Sequence, residues 1–272
     1  MTIFEAVILG IVEGITEFLP VSSTGHMILA SYFMGIQEDP FTKLFEVCIQ
    51  LGAILSVVVL YWKRFFDFSK WQFYMKLIIA VIPALILGFL FNDAIEGLLE
   101  SPLTVSISLI LGGIVLLFID KVFKNPEITQ EPEIKPKNAF VIGLWQCISM
   151  IPGVSRSAAT IIGGMQQNLT RSLAAEFSFF LAVPTMAAAT GYTLILKDWK
   201  VNGAEIKGYE MLTQNSDNLM MFGIGALMSF IVAMIAIKSF ITFLQKHGFR
   251  VFGVYRIIAG LIMLFVLGMK SV

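Results

Sequence analysis

The sequence contains few charged residues. Only 14% of its 272 residues are charged, whereas soluble domains carry about 25%. Hydrophobic residues make up 57% of the chain, and the mean hydropathy is +0.83. These values exclude an ordinary water-soluble domain and predict an integral membrane protein.

Net charge and cysteine are scarce as well. The 19 Lys and Arg residues balance 19 Asp and Glu residues, so the sequence indicates no nucleic-acid partner. No Lys or Arg precedes the first apolar run, which predicts that no signal peptide is cleaved. Cys48 and Cys147 stand alone in apolar runs, without the CxxC spacing of a redox or metal site.

Long apolar runs are what the chain has in abundance. A helix needs about 20 mostly apolar residues to cross a membrane. Six stretches approximately meet this requirement: 42–62, 77–91, 103–120, 172–195, 219–238 and 251–269. Regions 1–34 and 138–168 are also apolar, but Pro, Gly and charged residues interrupt them. We predict that these two regions form re-entrant hairpins, which enter the membrane and turn back.

The positive charges support this count. If neither hairpin crosses the membrane, thirteen Lys and Arg residues fall on one side and five on the other, with Arg156 set aside. The positive-inside rule makes the richer side cytoplasmic, so both termini and the first hairpin are predicted to lie outside. The thirteen are Lys63, Arg64, Lys70, Lys76, Lys121, Lys124, Lys135, Lys137, Arg171, Lys238, Lys246, Arg250 and Arg256.

The two ends of the chain resemble each other. Residues 7–13 match 140–146, and Pro20 through Ser23 match Pro152 through Arg156 with one inserted residue. Each half would hold one hairpin and three spans, and an odd number of spans forces opposite orientations, as in the inverted repeats of transporters. Chance similarity between apolar segments is the alternative.

The predicted fold class is therefore an all-α polytopic membrane protein with six transmembrane helices and two re-entrant hairpins in an inverted repeat. Residues 1–272 would form a single membrane domain. Its halves, 1–123 and 138–272, would be joined by a solvated cytoplasmic linker, 124–137, which is rich in proline and charge.

The first hairpin carries a pair of carboxylates. Glu13 and Glu17 are four residues apart, so they share one face of a helix. Such a pair persists if it holds a divalent cation, shares a proton or faces a cationic group. Magnesium is commonly bound by one or two carboxylates together with substrate phosphates, which makes these residues candidate metal ligands. A pair of helix-surface glutamates at an interface is the alternative.

Hydroxyl groups and a histidine follow the carboxylates. Pro20 should end the helix, and Ser22, Ser23 and Thr24 then precede a second helix whose exposed N–H groups favour anions. One hydroxyl can cap that helix, and the others are candidates for substrate binding or attack. His26 lies one turn into the same helix, where it could act as a general acid or base.

The second hairpin mirrors the first. Ser155 and Ser157 can cap its second helix or bind substrate, and the forked guanidinium of Arg156 suits phosphate oxygens. A structural ion pair between Arg156 and Glu46 or Glu176 is the alternative. Together with the first hairpin, these residues indicate phosphoryl transfer or hydrolysis, which depends mainly on stabilising the charge on phosphate oxygens.

At these residues the chain resembles the bacterial undecaprenyl-pyrophosphate phosphatase family, which is associated with bacitracin resistance. Glu13 to His26 matches its Glu-rich segment ending in Pro-Val-Ser-Ser-Thr-Gly-His, and Pro152 to Ser157 matches Pro-Gly-x-Ser-Arg-Ser. The similarity extends over essentially the whole chain. One difference is Ala158, where Gly occurs in some relatives.

This resemblance implies a hydrolase that converts undecaprenyl diphosphate to undecaprenyl phosphate and so recycles the lipid carrier for cell-wall synthesis. The implied catalytic residues are Glu13, Glu17, Ser23, His26 and Arg156, with Mg²⁺ or Ca²⁺ as the cofactor. We expect a bacterial plasma-membrane protein whose active site opens to the periplasmic side. The expected partners are the polyprenyl diphosphate, membrane lipid and, in a homodimer, a second copy of the chain.

Two other function classes share some of these sequence features. Lipid phosphatases of the acid-phosphatase type need a second histidine shortly after the arginine, and residues 157–170 contain none. A lipid-carrier or ion transporter with an anion site between the repeats would share the broken helices. Release of phosphate from a polyprenyl diphosphate separates an enzyme from such a transporter.

Overall fold

A computed structural model describes residues 1–91, 95, 97, 101–201 and 203–270. Within these residues, six helical segments are long and apolar enough to cross a membrane, which confirms the six predicted spans. The segments are Pro40–Leu60, Trp71–Leu90, Pro102–Val122, Arg171–Leu196, Ser216–His247 and Arg250–Gly268.

The helices are numbered in chain order through the described ranges. They are α1 (Ile3–Thr16), α2 (Ser23–Met34), α3 (Pro40–Cys48), α4 (Gln50–Leu60), α5 (Trp62–Phe65), α6 (Trp71–Leu90), α7 (Pro102–Val122), α8 (Pro136–Ile148), α9 (Arg156–Gln166), α10 (Arg171–Gly191), α11 (Gly208–Thr213), α12 (Ser216–His247) and α13 (Arg250–Lys270). A 3₁₀ turn occupies Glu131–Glu133, and a π-helical turn, Tyr192–Leu196, extends α10.

Both predicted hairpins are helix–loop–helix units, α1–α2 and α8–α9. Helix α1 has 14 residues and α8 has 13. At about 1.5 Å per residue, helices of this length reach only about 20 Å, less than the roughly 30 Å hydrocarbon core of a bilayer. That the two units enter the membrane and turn back stays a prediction.

Four connecting segments meet at one end of the helical bundle. Arg64, after α4, contacts Glu131 of the linker at 3.5 Å. Asp120, near the end of α7, forms an ion pair with Arg171, whose Nε lies 2.7 Å from Asp120 Oδ1, and its Oδ2 accepts the backbone N–H of Phe249 at 2.8 Å. This convergence is what an alternating path of six spans requires.

The predicted linker is attached to the bundle more firmly than a solvated segment would be. Most of its side chains are exposed, but Glu131 is buried and accepts a hydrogen bond from Lys76 Nζ at 2.8 Å. Ile128 also pairs with Leu169 in an isolated parallel bridge. The buried ion pair explains why one acidic residue of this polar segment lies inside the protein.

The first helix of each predicted half packs against the other half. Helix α1 packs on α12, and α8 packs on α6. Matching glycines permit both contacts: a Cβ on Gly10 would lie 2.6 Å from the Gly225 carbonyl oxygen, and one on Gly143 would lie 2.3 Å from that of Ala80. The division into halves stays a prediction. The packing of α1 on α12 and of α8 on α6 brings the two hairpin loops together.

Two features differ from the sequence-based expectations. A short antiparallel hairpin, β1 (Asp198–Val201) and β2 (Ala204–Lys207), follows α10, although the fold is otherwise helical across the described residues. Arg256, counted above among the cytoplasmic loop charges, instead lies within α13 and is fully buried. That assignment was wrong because backbone carbonyls, which a sequence pattern does not reveal, accept its hydrogen bonds.

Candidate active site

The two hairpin loops meet at one carboxylate. Glu17 caps the C-terminus of α1, whereas Ser23 and Arg156 are the first residues of α2 and α9. Arg156 Nη2 donates to Glu17 Oε1 at 2.6 Å, and Ser23 Oγ donates to Glu17 Oε2 at 2.6 Å. All three residues are buried. The predicted convergence of the two loops is therefore present, and Glu17 joins them.

Arg156 has further partners on α10. Its Nη1 donates to the backbone oxygen of Ser178 at 2.9 Å, and the Ser178 hydroxyl lies 2.6 Å from Thr160 Oγ1. The alternative of an ion pair with Glu46 or Glu176 was wrong, because the carboxylate that Arg156 meets is Glu17. Its Nε is buried without a hydrogen-bond partner among the described residues.

Ser22 and Ser155 adopt the same unusual backbone conformation. Their φ angles are +71° and +76°, a region that L-residues other than glycine rarely occupy. Each caps the helix that follows: Ser22 Oγ accepts from Gly25 N–H, and Ser155 Oγ accepts from Ala158 N–H. Strain of this kind persists only where the surroundings hold it, and it concentrates at functional sites.

The other predicted binding hydroxyls have different positions. Thr24, like Ser22 and Ser155, lines a cavity of about 590 Å³. Ser157 is 1% exposed, and its Oγ donates to the backbone oxygen of Phe18 at 2.7 Å. Ser157 therefore ties the two hairpins together in this structure, although the sequence placed it among the substrate-binding residues.

Glu13 lies behind Glu17 on the same helix. It is 0% exposed, and neither of its carboxylate oxygens has a hydrogen-bond partner among the described residues. A buried carboxylate needs a proton or a cation, so these two oxygens fit a divalent cation. The described residues contain no group of three or more acidic, histidine or cysteine side chains placed to hold a metal. A cation here would therefore need phosphate oxygens to complete its ligands.

Both ring nitrogens of His26 have hydrogen-bond partners other than Ser23. Its Nδ1 lies 2.8 Å from the backbone oxygen of Ser22, and its Nε2 lies 2.6 Å from the hydroxyl of Tyr255 on α13. The two rings are also stacked, with centroids 5.5 Å apart. Because the Ser22 oxygen can only accept, Nδ1 must carry a proton. Among the described residues, His26 makes no direct hydrogen bond to Ser23. Its role as an acid or base therefore stays a prediction.

A cavity of about 590 Å³ opens onto the Glu17 cluster. Its polar end includes Glu17, Ser23 and Arg156, and glutamines from both predicted halves, Gln50 and Gln146, also line it. The rest of the wall is mainly apolar and comes from α6 and the end of α10, with Val81, Ala84, Leu85, Phe89, Met186, Ala188, Ala189, Tyr192 and Leu196. Such a cavity can bind an anionic group at one end and a hydrocarbon chain along its wall.

The sequence profile of one family, described as bacitracin resistance protein BacA, matches residues 6–262. The chain belongs to this family. A relative from Flavobacterium johnsoniae, named undecaprenyl-diphosphatase, is 55% identical over 267 residues, which cover 98% of this chain and 96% of the relative. Relatives of the same name from Flavobacterium psychrophilum and Aquifex aeolicus are 56% and 48% identical, over 98% and 96% of this chain and 96% and 97% of the relatives.

Several residues of this BacA-family site were not singled out from the sequence. Ser178 and Thr185 are ordinary hydroxyl residues within an apolar helix, and nothing in the sequence distinguishes them. Gln146 could have been found, because the internal repeat aligns it with Glu13. It is 2% exposed, and its side-chain oxygen lies 3.2 Å from the Thr185 hydroxyl.

Replacing Ser157 with alanine should destabilise the protein. The change leaves the buried oxygen of Phe18 without its partner, which costs about 1–3 kcal/mol. Ser239→Ala is a matched control, since Ser239 is exposed and bonds only to its own helix at Ile235. Thermal unfolding in detergent should show a clearly lower midpoint for Ser157→Ala. Equal midpoints for the two variants would contradict a locking role for Ser157.

Proposed function

We propose that this protein is a membrane phosphatase that hydrolyses undecaprenyl diphosphate to undecaprenyl phosphate and orthophosphate. The observation that carries the proposal is the Glu17 carboxylate, held between Ser23 and Arg156 at the polar end of a largely apolar cavity. The family membership and the name shared by the relatives support the same activity. The product would return the lipid carrier to cell-wall synthesis.

The cavity suits both parts of this substrate. The diphosphate would lie at the polar end, near the N-termini of α2 and α9, where backbone N–H groups and the helix dipoles favour negative charge. The prenyl chain would follow the apolar wall formed by α6 and α10. A small water-soluble phosphate ester would gain nothing from that wall, so the substrate class we infer is a lipid diphosphate.

In the mechanism that we propose, Ser23 Oγ attacks the terminal phosphorus. Its hydrogen bond to Glu17 provides a path for the hydroxyl proton. A bond forms between Ser23 Oγ and phosphorus while the bond from phosphorus to the bridging oxygen breaks, and undecaprenyl phosphate leaves. Water then attacks the phosphoserine, which releases orthophosphate and restores the hydroxyl. Arg156 would stabilise the charge on the transferring group.

His26 would act through the backbone or through Tyr255. Its Nδ1 holds the carbonyl of Ser22, the strained residue directly before Ser23. Its Nε2 meets the Tyr255 hydroxyl, so a proton that leaves or enters the site on this side would pass between these two groups. The proposal therefore keeps His26 in the site but gives the first proton transfer to Glu17.

A divalent cation, Mg²⁺ or Ca²⁺, fits the same arrangement. Glu13 and Glu17 would hold it, and the diphosphate oxygens would supply the further ligands that the protein does not provide. When bound, the cation would neutralise charge on the phosphates and polarise the phosphoryl group. The unpartnered oxygens of Glu13 support this assignment.

The protein is a multi-pass membrane protein, and we infer that it lies in the bacterial plasma membrane with the site open to the periplasm. The asymmetry of thirteen against five positive charges carries this orientation. The structure leaves the excess in place: Arg256 and Lys76 are buried within α13 and α6, and the other eleven of the thirteen still outnumber the five on the opposite side.

Purified protein in detergent should release phosphate from undecaprenyl diphosphate. Glu17→Ala should reduce this release to background, since the change removes the acceptor for both Ser23 and Arg156. Glu38→Ala is the matched control, because Glu38 is exposed and its one ion pair within the described residues is a 3.9 Å contact with Lys43. The control should retain wild-type activity. A colorimetric phosphate assay measures all three proteins.

Two results would overturn the proposal. Wild-type protein that binds the diphosphate but releases no phosphate would be a transporter rather than an enzyme. Activity that survives complete removal of divalent cations by a chelator would remove the metal from the mechanism. We expect chelation to abolish release, and added Mg²⁺ or Ca²⁺ to restore it.

The orientation has its own test. Ser23→Cys, in a background where Cys48 and Cys147 are replaced by alanine, should react with a membrane-impermeant thiol reagent added to intact spheroplasts. We expect this labelling because, in the proposed orientation, the cavity that Ser23 lines would open to the outside. Labelling that requires inverted vesicles, with the cytoplasmic face exposed, would place the site on the other side.

A further inference from the structure

Helix α13 carries an arginine that the proposed mechanism does not use. Arg256 is 0% exposed. None of the carboxylates in the described part of the chain forms an ion pair with it. All of its hydrogen bonds go to backbone carbonyl oxygens. The acceptors are Pro20 at 3.2 Å, Ser108 at 3.1 Å, Leu109 at 3.3 Å, Gly153 at 2.8 Å and Val154 at 2.9 Å.

These carbonyls belong to both hairpin loops. Pro20 lies two residues before the strained Ser22, and Val154 lies directly before the strained Ser155. A single guanidinium therefore connects the two loops just upstream of the residues that start α2 and α9. The carbonyls of Ser108 and Leu109 fix the same guanidinium to α7.

Only arginine can make this connection. Its guanidinium holds five N–H donors in a rigid plane, whereas a lysine ammonium has three and occupies one point. Loop carbonyls buried among helices have no helical partner and would be costly to leave unpaired. A positive φ in a non-glycine residue likewise needs surroundings that hold it. Arg256 meets both needs.

We propose that Arg256 is a positioning residue, which holds the two loops so that Ser23 and Arg156 meet at Glu17. It acts through backbone rather than through substrate, since it is not among the residues that line the cavity. The inference rests on the proposed phosphatase activity for its kinetic consequence. Its structural consequence, the fixed spacing of the loops, is independent of that activity.

The chain offers a variant that disturbs Arg256 without removing it. A Cβ on Gly112 of α7 would lie 2.2 Å from Arg256 Nη2, the mobile end of the side chain. Gly112→Ala should therefore displace the guanidinium while the helices stay packed. Gly223→Ala is the matched control, because a Cβ on Gly223 meets nothing within 4 Å. Arg256→Lys tests the same idea by keeping the charge and losing the fork.

Kinetics and hydrogen–deuterium exchange should be measured on these variants in detergent. We expect Gly112→Ala to lower kcat on the order of 100-fold, as small misplacements of reacting groups do, with a smaller change in KM. Amide exchange should become faster in both loops, 17–22 and 149–155. The thermal midpoint should fall below that of Gly223→Ala, because the displaced guanidinium leaves buried loop carbonyls without their donor. Arg256→Lys, where it folds, should also lose activity.

Each of the following results would contradict either the role of Arg256 or the proposed function. Wild-type kcat in folded Gly112→Ala or in Arg256→Lys would overturn the proposal. Unchanged exchange in either loop of Gly112→Ala would do so as well. If the wild-type protein releases no phosphate at all, the proposed function fails, and the exchange measurement still decides whether Arg256 positions the loops.

Discussion

The site depends on a single carboxylate that is shared between two hairpins. Glu17 accepts hydrogen bonds from the first residue of α2 and from the first residue of α9. Neither Glu17 nor Arg156 would be stable alone in this environment, because a buried arginine or glutamate without its partner costs several kcal/mol. The pair therefore requires both loops to be in place. The N-termini of α2 and α9 therefore lie side by side at the polar end of the cavity.

The packing of the helices brings the two hairpin loops together. Close glycine contacts let α1 and α8 each cross onto a helix of the other half, and Ser157 and Arg256 then join the loops through backbone carbonyls. The same loops contain Ser22 and Ser155, whose φ angles are positive. The result is a polar centre at one end of a cavity whose remaining wall is mainly apolar, which suits the lipid diphosphate that we propose as the substrate.

The sequence predicted the parts of this arrangement that depend on pattern. Hydropathy placed the six spans, and the interruptions at Pro20 and Pro152 placed the loops. Which partner Arg156 would meet could not be predicted, because that depends on how α9 packs, and Glu46 and Glu176 were equally plausible from their spacing. Arg256 was misplaced for a related reason. Its partners are carbonyls, which every residue has, so no side-chain pattern marks them.

A double-mutant cycle between Glu17 and Arg156 tests the central interaction most directly. The free energy of unfolding in mixed micelles would be measured for Glu17→Gln, for Arg156→Met and for the double variant. Contacting charged residues show coupling energies of about 0.5–3 kcal/mol, and a buried pair at 2.6 Å should lie in the upper part of that range. Additive effects, within about 0.5 kcal/mol, would contradict the account.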